Sequence, residues 1–321
     1  MKAIVQDSYG SADVLHLAEI ETPEAGADEV LVRVRAASVN IGDWHLMAGL
    51  PYLVRLAGLR RPGNPVRGMD VAGIVEVAGA NVTRFAPGDE VFGVASGSLA
   101  EFTVAKADKL VLKPAGLSFE QAAAVPVSAV TALQSLASVR AAGPGERVLV
   151  IGASGAVGGY AVQLARAFGA QVTGVASTGK LDYVLSLGAS VAVDYTRNDI
   201  TRSGERYDLV VDTAGNRSVS SLRKLLAGRG TLVIVGGEGG GRVTGGFGRS
   251  LGAGLVSPFV RQKLTGLIST VHREDLATLA ELLESGSVTP RIDAVYPLAE
   301  AATAMRRLTD GSTRGKLVVT V

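Results

Sequence analysis

Between Arg147 and Lys180 the chain reads as a short apolar strand, a glycine turn, an amphipathic helix and a second strand, an order that few folds can use. The strand is Arg147-Val148-Leu149-Val150-Ile151, and the turn is Gly152-Ala153-Ser154-Gly155-Ala156-Val157-Gly158. A glycine at 155 lets a backbone come close to a pyrophosphate, and one at 158 lets the helix pack tightly on the strand. The helix start offers unpaired N–H groups to an anion. A glycine pattern alone is weak, but this one stands between a strand and a helix, the context it needs. Val157, Ala161, Leu164, Ala165 and Phe168 fall on one helical stripe. Gly169 stands where such a helix ends. A dinucleotide site is expected here, with Gly152, Ala153, Ser154, Gly155, Ala156, Val157 and Gly158 as its turn.

Bulk composition narrows the rest. The chain has 321 residues, 47% hydrophobic and 19% charged, which suits a globular protein long enough for two domains. Lys and Arg total 32 against 30 Asp and Glu, so charge does not argue for nucleic acid or an anionic membrane. With no cysteine there is no disulfide, thiolate metal site or cysteine nucleophile. No apolar run makes a convincing membrane span: Pro126 breaks the stretch 121–139, and glycines and Arg166 break 148–165. A cytoplasmic protein is expected.

Residues 1–120 read as β-rich. Val30 to Arg35 alternates apolar and charged residues, a strand with one wet face. Short strands at 73–79 and 89–94 lie between glycine and proline turns, including Pro87-Gly88-Asp89. Strands at 99–104 and 110–112 complete a compact, barrel-like series. The stretch 49–64 reads as a long loop or short helix. Ser118-Phe119-Glu120-Gln121 is a capping box ahead of an alanine-rich helix, and Thr131 to Arg140 reads as a second helix. After the glycine turn, apolar runs at 190–195, 207–212 and 230–237 alternate with helices, as in a parallel sheet covered on both faces. Ligands then bind beyond the strand C-terminal ends, which places Ser177, Thr213, Ala214, Gly236 and Gly237 with the glycine turn. The glycine-rich stretch 238–260 reads as irregular and mobile. A sixth strand is expected at 264–270 and a helix at 275–283. The segments 291–296 and 316–321 return to the strand character of the first domain.

Four segments together resemble the zinc-independent medium-chain dehydrogenases/reductases of the quinone oxidoreductase (zeta-crystallin-like) group. They are Ala37-Ser38-Val39-Asn40-Ile41-Gly42-Asp43, Gly68-Met69-Asp70-Val71-Ala72-Gly73, Pro87-Gly88-Asp89-Glu90-Val91 and the glycine turn. The closing Arg314-Gly315-Lys316-Leu317-Val318 is also typical, and the resemblance spans essentially the whole chain. It implies an α/β protein: a GroES-like, β-barrel-type catalytic domain (1–122 and 285–321) plus a Rossmann doubly wound parallel-sheet domain (123–284). It also implies NADPH-dependent reduction of quinones or α,β-unsaturated carbonyls, and a homodimer pairing through the sixth strand. Zinc alcohol dehydrogenases carry Cys in the region of Asn40–Gly42 and Gly-His-Glu at Gly68-Met69-Asp70. No metal is expected: His16, His45 and His272 are far apart and lack ligand spacing.

An NAD site usually carries Asp or Glu at the end of the second strand, about 20 residues past the glycines. Here Ser177-Thr178-Gly179-Lys180 stands there. Lys180 can supply a charge and Ser177 a hydrogen bond to a 2′-phosphate, which favours NADPH. The resemblance adds Tyr195 over the same end and Thr131 near the nicotinamide. Without a Lewis acid, a simple ketone is a harder acceptor than a conjugated one. Hydride addition to an enone or quinone spreads charge that hydrogen-bond donors can meet. The resemblance makes Asn40 and Tyr52 those donors and sets Asp43 on the nearby backbone. No side chain stands out as general acid, so solvent or a tyrosine is expected to give the final proton.

Other readings stay open. A non-catalytic NADPH-binding or redox-sensing protein would share the glycine turn. A zinc-free alcohol or ketone dehydrogenase would share both domains. A short-chain dehydrogenase would need Tyr-x-x-x-Lys, and none of the seven tyrosines has Lys four residues on.

Overall fold

The computed structural model describes residues 1–236 and 241–321. The chain opens with β1 (Lys2–Val5), β2 (His16–Glu19), β3 (Glu29–Val39), α1 (Ile41–Ala48), β4 (Asp70–Ala78) and β5 (Glu90–Val94). Next come β6 (Phe102–Lys106), β7 (Leu110–Leu112), α2 (Phe119–Ala123), α3 (Pro126–Ser135) and α4 (Ala137–Ala142). Then follow β8 (Arg147–Ile151), α5 (Ala156–Ala167), β9 (Gln171–Ala176), α6 (Leu181–Ser186), β10 (Val191–Asp194) and β11 (Tyr207–Asp212). The chain continues with α7 (Val219–Arg223), β12 (Leu226–Ile234), α8 (Phe247–Val256) and β13 (Lys263–Gly266). It closes with α9 (Arg273–Glu284), β14 (Ile292–Pro297), α10 (Ala301–Thr309) and β15 (Lys316–Thr320). Two compact units result: Met1–Val130 with Val271–Gly286 and Pro290–Val321, and Thr131–Thr270 with Ser287–Thr289.

The first unit is organised on β3. Its alternation buries Val30, Val32 and Val34 and leaves Arg33 and Arg35 exposed. Those valines pack with Val71, Val75, Val91 and Leu110. β3 pairs antiparallel with β4, β6 and β15, and its register with β4 shifts twice. Such irregularities bend and twist a strand, which lets a sheet curl. The sheet order is β14-β15-β3-β4-β5-β7, with β6 also on β3. The last strand therefore lies beside an early one, and Leu317 and Val319 share a core with Val39, Met47 and Met305.

The second unit is a six-stranded parallel sheet in the order β10-β9-β8-β11-β12-β13. Numbered by sequence this is 3-2-1-4-5-6, the doubly wound order whose direction reverses between β8 and β11. Its strands are the apolar runs of the sequence: Val148, Leu149, Val150, Leu209, Val210, Val211 and Leu232 are all fully buried.

The architecture is the expected one, but several details differ. The units divide after Val130 and Thr270, where the sequence reading placed boundaries after 122 and 284. α9 packs beside β7, and Lys109 donates to the Val271 carbonyl at 2.8 Å, so α9 belongs with the first unit. The stretch 238–260 is not irregular throughout, since it contains α8. Phe247, Leu251 and Leu255 recur every fourth residue there, a helical period that the glycines obscured. α1 was not anticipated. The expected helix at 131–140 is two helices, α3 and α4, and α3 starts at Pro126, a residue suited to a first turn. The sixth strand is shorter than expected and ends at Gly266. Among the described residues no helix is long and apolar enough to cross a membrane.

Candidate functional site

In the first unit, Asn40 sits at the junction of β3 and α1 and caps the helix. Asp43 lies in the first turn of α1, Asp70 opens β4 opposite Ser38, and Lys316 opens β15. These elements bring the four polar side chains into one buried cluster with Ser128 of α3. Asp70 is fully buried and its carboxylate is saturated. Ser38 Oγ donates to Oδ2 at 2.6 Å, Asn40 Nδ2 at 2.9 Å and Lys316 Nζ at 3.1 Å, while the Val127 N–H donates to Oδ1 at 2.8 Å. Lys316 is 1% exposed and also donates to Asn40 Oδ1 at 2.6 Å and Ser128 Oγ at 3.3 Å. A charge so deeply buried is tolerable only when its partners are this complete.

The cluster fixes which way the Asn40 carboxamide points. An ammonium can only donate, so the atom facing Lys316 is the carbonyl oxygen. The amide nitrogen then donates to Asp70 and, at 3.3 Å, to Asp43 Oδ2. Both amide protons are thus directed inward. The donor to a substrate oxygen that the resemblance implied is not what this arrangement offers; Asn40 instead links two carboxylates and an ammonium.

Asp43 is nearly as buried. Its Oδ2 accepts the Asn40 backbone N–H at 2.9 Å, closing the helix cap, and its Oδ1 has no hydrogen-bond partner among the described residues. Burial, with the Asp70 charge added, raises its pKa to about 7, against the pull of the Asn40 N–H and of Lys316. Tyr52 lies apart on the 3₁₀ turn Tyr52–Ala57 and is partly exposed. The Arg55 guanidinium stacks over both the Tyr52 and Tyr9 rings, at 5.0 and 4.7 Å, and Arg55 Nε donates to the Gly49 carbonyl at 2.9 Å. No hydrogen bond joins Tyr52 to Asn40 or Asp43 among the described residues.

The donor set does not suit zinc, which prefers thiolate and imidazole. Asn40 and Asp70 are occupied by Lys316, so the positive charge in this cluster is an ammonium. Met69 lies against Gly42, where an added Cβ would meet its Cε at 2.7 Å. His45 Nδ1 is 2.7 Å from the Leu50 carbonyl, His16 faces Asp7, and His272 precedes α9. Among the described residues no group of three His, Asp or Glu is placed to hold a metal.

In the second unit, the three turn glycines have separate tasks. Gly152 has φ +83°, and a Cβ there would meet Thr213 Oγ1 at 2.4 Å. A Cβ on Gly158 would meet the Gly152 carbonyl oxygen at 2.1 Å, so α5 rests directly on the turn. A Cβ on Gly155 would meet only that oxygen, at 3.4 Å, and otherwise open space. Gly155 caps α5, and no acidic residue lies in the first turn. The open side at Gly155 and the bare helix start at Ala156 and Val157 fit a pyrophosphate. Ala153 and Ser154 are buried between Gly152 and Gly155.

Thr213, Ala214, Gly236, Ser177, Lys180 and Tyr195 follow strand ends of the same sheet. Thr213 follows β11 and turns its hydroxyl back to the Ile151 carbonyl at 2.8 Å, with Ala214 beside Gly152. Gly236 presses on the Thr213 backbone, where a Cβ would meet its oxygen at 2.2 Å. Gly237 lies outside the described residues. Ser177 begins the Thr178–Lys180 turn after β9, and Tyr195 follows β10, its N–H donating to the Ala176 carbonyl at 3.1 Å. Thr131 is buried on α3.

Sequence reasoning missed Ser128, Asp194 and Arg249, and took Ser38, Asp70, Thr178 and Lys316 only as parts of motifs. Arg249 of α8 donates to the buried Asp212 carboxylate at 2.5 Å. Its only local signal was an arginine within a glycine-rich run. Lys316 meets partners some 190 to 280 positions away, with no local signal at all.

Known proteins resemble the chain over both units. Residues 26–115 match the alcohol dehydrogenase GroES-like domain and residues 187–319 the zinc-binding dehydrogenase family. The chain is 33% identical over 335 residues to the chloroplastic quinone-oxidoreductase homolog of Spinacia oleracea, covering 99% of this chain and 98% of that one. It is 34% identical to the chloroplastic NADPH-dependent alkenal/one oxidoreductase of Arabidopsis thaliana, covering 99% of this chain and 79% of that protein. Escherichia coli quinone oxidoreductase, solved in complex with NADPH, superposes with a TM-score of 0.85 at 26% identity, over all of both chains. The chain belongs to the medium-chain dehydrogenase/reductase family, in its quinone oxidoreductase group.

Three outcomes follow from the geometry. Asp43 has a raised pKa when folded, so the neutral carboxyl favours folding. Its contribution is complete below the unfolded value of 3.8 and is lost as pH rises to about 7. Asp43→Asn keeps the cap and removes the titration. Urea denaturation across that range should show the variant gaining on the wild type as pH rises, by a few kcal/mol at most, since one pKa unit is about 1.4 kcal/mol. Gly158→Ala should destabilise by about 1–3 kcal/mol, because the methyl meets backbone. Gly155→Ala should change stability by less than about 0.5 kcal/mol yet weaken nucleotide binding about tenfold, or 1.4 kcal/mol. Melting curves and fluorescence titration separate the two.

Proposed function

We propose that this protein reduces quinones or α,β-unsaturated carbonyls with NADPH and without zinc. The observation that carries the reading is the second unit's nucleotide corner: an open glycine turn on β8, with Lys180 and no carboxylate at the end of β9. The relatives' names point to the same acceptors and the same reductant.

Gly152, Ala153, Ser154, Gly155, Ala156, Val157 and Gly158 would hold the pyrophosphate, with Thr213, Ala214, Gly236 and Gly237 lining the neighbouring strand ends. Ser177, Lys180 and Tyr195 would grip the adenosine end, and Thr131 the nicotinamide end. Bound NADPH supplies a hydride. Tyr52 is our candidate donor to the acceptor oxygen on which charge develops. Asn40 and Asp43 then serve as positioning residues, fixed by Asp70 and Lys316. The proton that completes reduction comes from solvent or from a tyrosine.

The test is direct. NADPH with 1,4-benzoquinone, 9,10-phenanthrenequinone or a short enone should lose absorbance at the nicotinamide band. Tight NADPH binding without turnover of any of these would instead favour a binding or redox-sensing protein. Turnover of simple ketones alone would favour a zinc-free alcohol dehydrogenase. Lys180→Ala should weaken NADPH by about tenfold and leave NADH nearly unchanged; equal losses would remove the phosphate assignment.

We also propose a cytoplasmic homodimer. Its supports are a composition without cysteine, suited to a reducing compartment, and β13 as an outer strand of the parallel sheet. An unpaired strand edge is a surface for a second copy, and Phe247, Leu251 and Leu255 of α8 expose apolar surface in the same unit. Sedimentation at micromolar concentration should give a dimer mass; a monomer overturns the pairing.

A further inference from the structure

The end of β9 lacks a carboxylate, but the neighbouring strand brings one to the same corner. β10 runs parallel to β9 and sets Asp194 opposite Ala176, the last residue of β9. Asp194 is 6% exposed, and four groups occupy its carboxylate. Thr178 Oγ1 donates to Oδ2 at 2.6 Å. The Thr196 N–H and Oγ1 donate to Oδ1 at 2.9 and 2.7 Å. Arg197 Nε lies 3.7 Å from Oδ2. The hydroxyl bonds from Thr178 and Thr196 hold the group below the usual carboxylate range.

A free carboxylate at a ribose corner binds the 2′-hydroxyl and repels a 2′-phosphate. This one is occupied by its own partners, and its bonds do something else. Thr178 stands two residues before Lys180 in the turn that carries it, and Asp194 stands immediately before Tyr195. The Thr178–Asp194 bond therefore ties the two loops that follow β9 and β10 into one rigid corner. The Tyr195 N–H to Ala176 carbonyl bond closes it at the strand ends.

We propose that Asp194 is a specificity-determining positioning residue for the 2′-phosphate of NADPH. Through Thr178 it holds the Ser177–Lys180 turn in the shape that receives the phosphate. The same bond keeps the carboxylate from serving a ribose hydroxyl. The inference rests on assigning this corner to the adenosine ribose.

Two variants test it: Asp194→Ala, which removes the tie, and Thr178→Val, which keeps the carboxylate but leaves Oδ2 with only its long contact to Arg197. Wild type and variants would be titrated with NADPH and NADH by nicotinamide fluorescence, with melting curves to confirm folding. Asp194→Ala should raise the Kd for NADPH about tenfold or more and leave that for NADH within about twofold. Thr178→Val should weaken NADPH at least as much, since a released carboxylate faces the phosphate, and should leave NADH unchanged or tighter. If Asp194→Ala fails to fold, Thr178→Val carries the test alone. Tighter NADPH binding by Asp194→Ala would show a merely repulsive charge and overturn the proposal. Equal losses for both nucleotides, or no change, would overturn it too. Lys180→Ala separates the levels: if it discriminates between the nucleotides and the Asp194 and Thr178 variants do not, only this proposal fails. If Lys180→Ala does not discriminate either, the corner is misassigned and both fall.

Discussion

An ammonium buried to 1% exposure, held by Asp70, Asn40 and Ser128, is the interaction on which the first unit depends. Lys316 opens the last strand, Asp70 opens β4, Asn40 joins β3 to α1, and Ser128 lies near the start of α3. One side chain therefore fastens four elements that the chain visits across most of its length. Burying such a charge is costly, and the cost is offset only if every lone pair and proton finds a partner. Asp70 meets that condition with four donors. Asp43 does not, since one oxygen is left without a partner among the described residues. Burial, with the Asp70 charge added, raises the Asp43 pKa to about 7.

This asymmetry gives Asn40 its place. Its carboxamide is a neutral group that offers a proton to both Asp43 and Asp70 while accepting from Lys316. An aspartate there would add a third negative charge, and an alanine would leave both carboxylates short of a donor. The residue is thus constrained by its neighbours before any substrate is considered. A metal ligand set would need the same space and the same lone pairs, which the ammonium already uses.

Much of this was legible from residue patterns, and the exceptions share a cause. The parallel sheet was readable because each strand is a short, continuous apolar run bounded by turns. The capping box at Ser118 was readable because it is local, and Ser118 Oγ does accept the Gln121 N–H at 3.2 Å. α8 was obscured because glycine lowers helix propensity residue by residue, while Phe247, Leu251 and Leu255 still supply a stripe. α1 was missed because it is only eight residues long and its cap depends on Asp43. The inward turn of the Asn40 amide could not be read at all. It follows from a lysine 276 positions away, and no window along the chain contains both.

The second unit uses acidic residues by the same rule as the first. β10 and β11 both end in aspartate, at the edge of the sheet where an anion is expected. Left bare, these carboxylates would oppose the field of the α5 N-terminus and repel a phosphate. Neither is bare. Asp194 is taken by Thr178, Thr196 and Arg197, and Asp212 by Arg249 and the Gly215 N–H. Each tie reaches a following loop or helix, so the bonds that neutralise the edge also shape it. Asp194 fixes the turn before Lys180, and Asp212 fixes α8 beside the end of β11. On the proposed assignment of this corner, what would make it tolerate a phosphate is not the absence of acidic residues but the partners that occupy their oxygens.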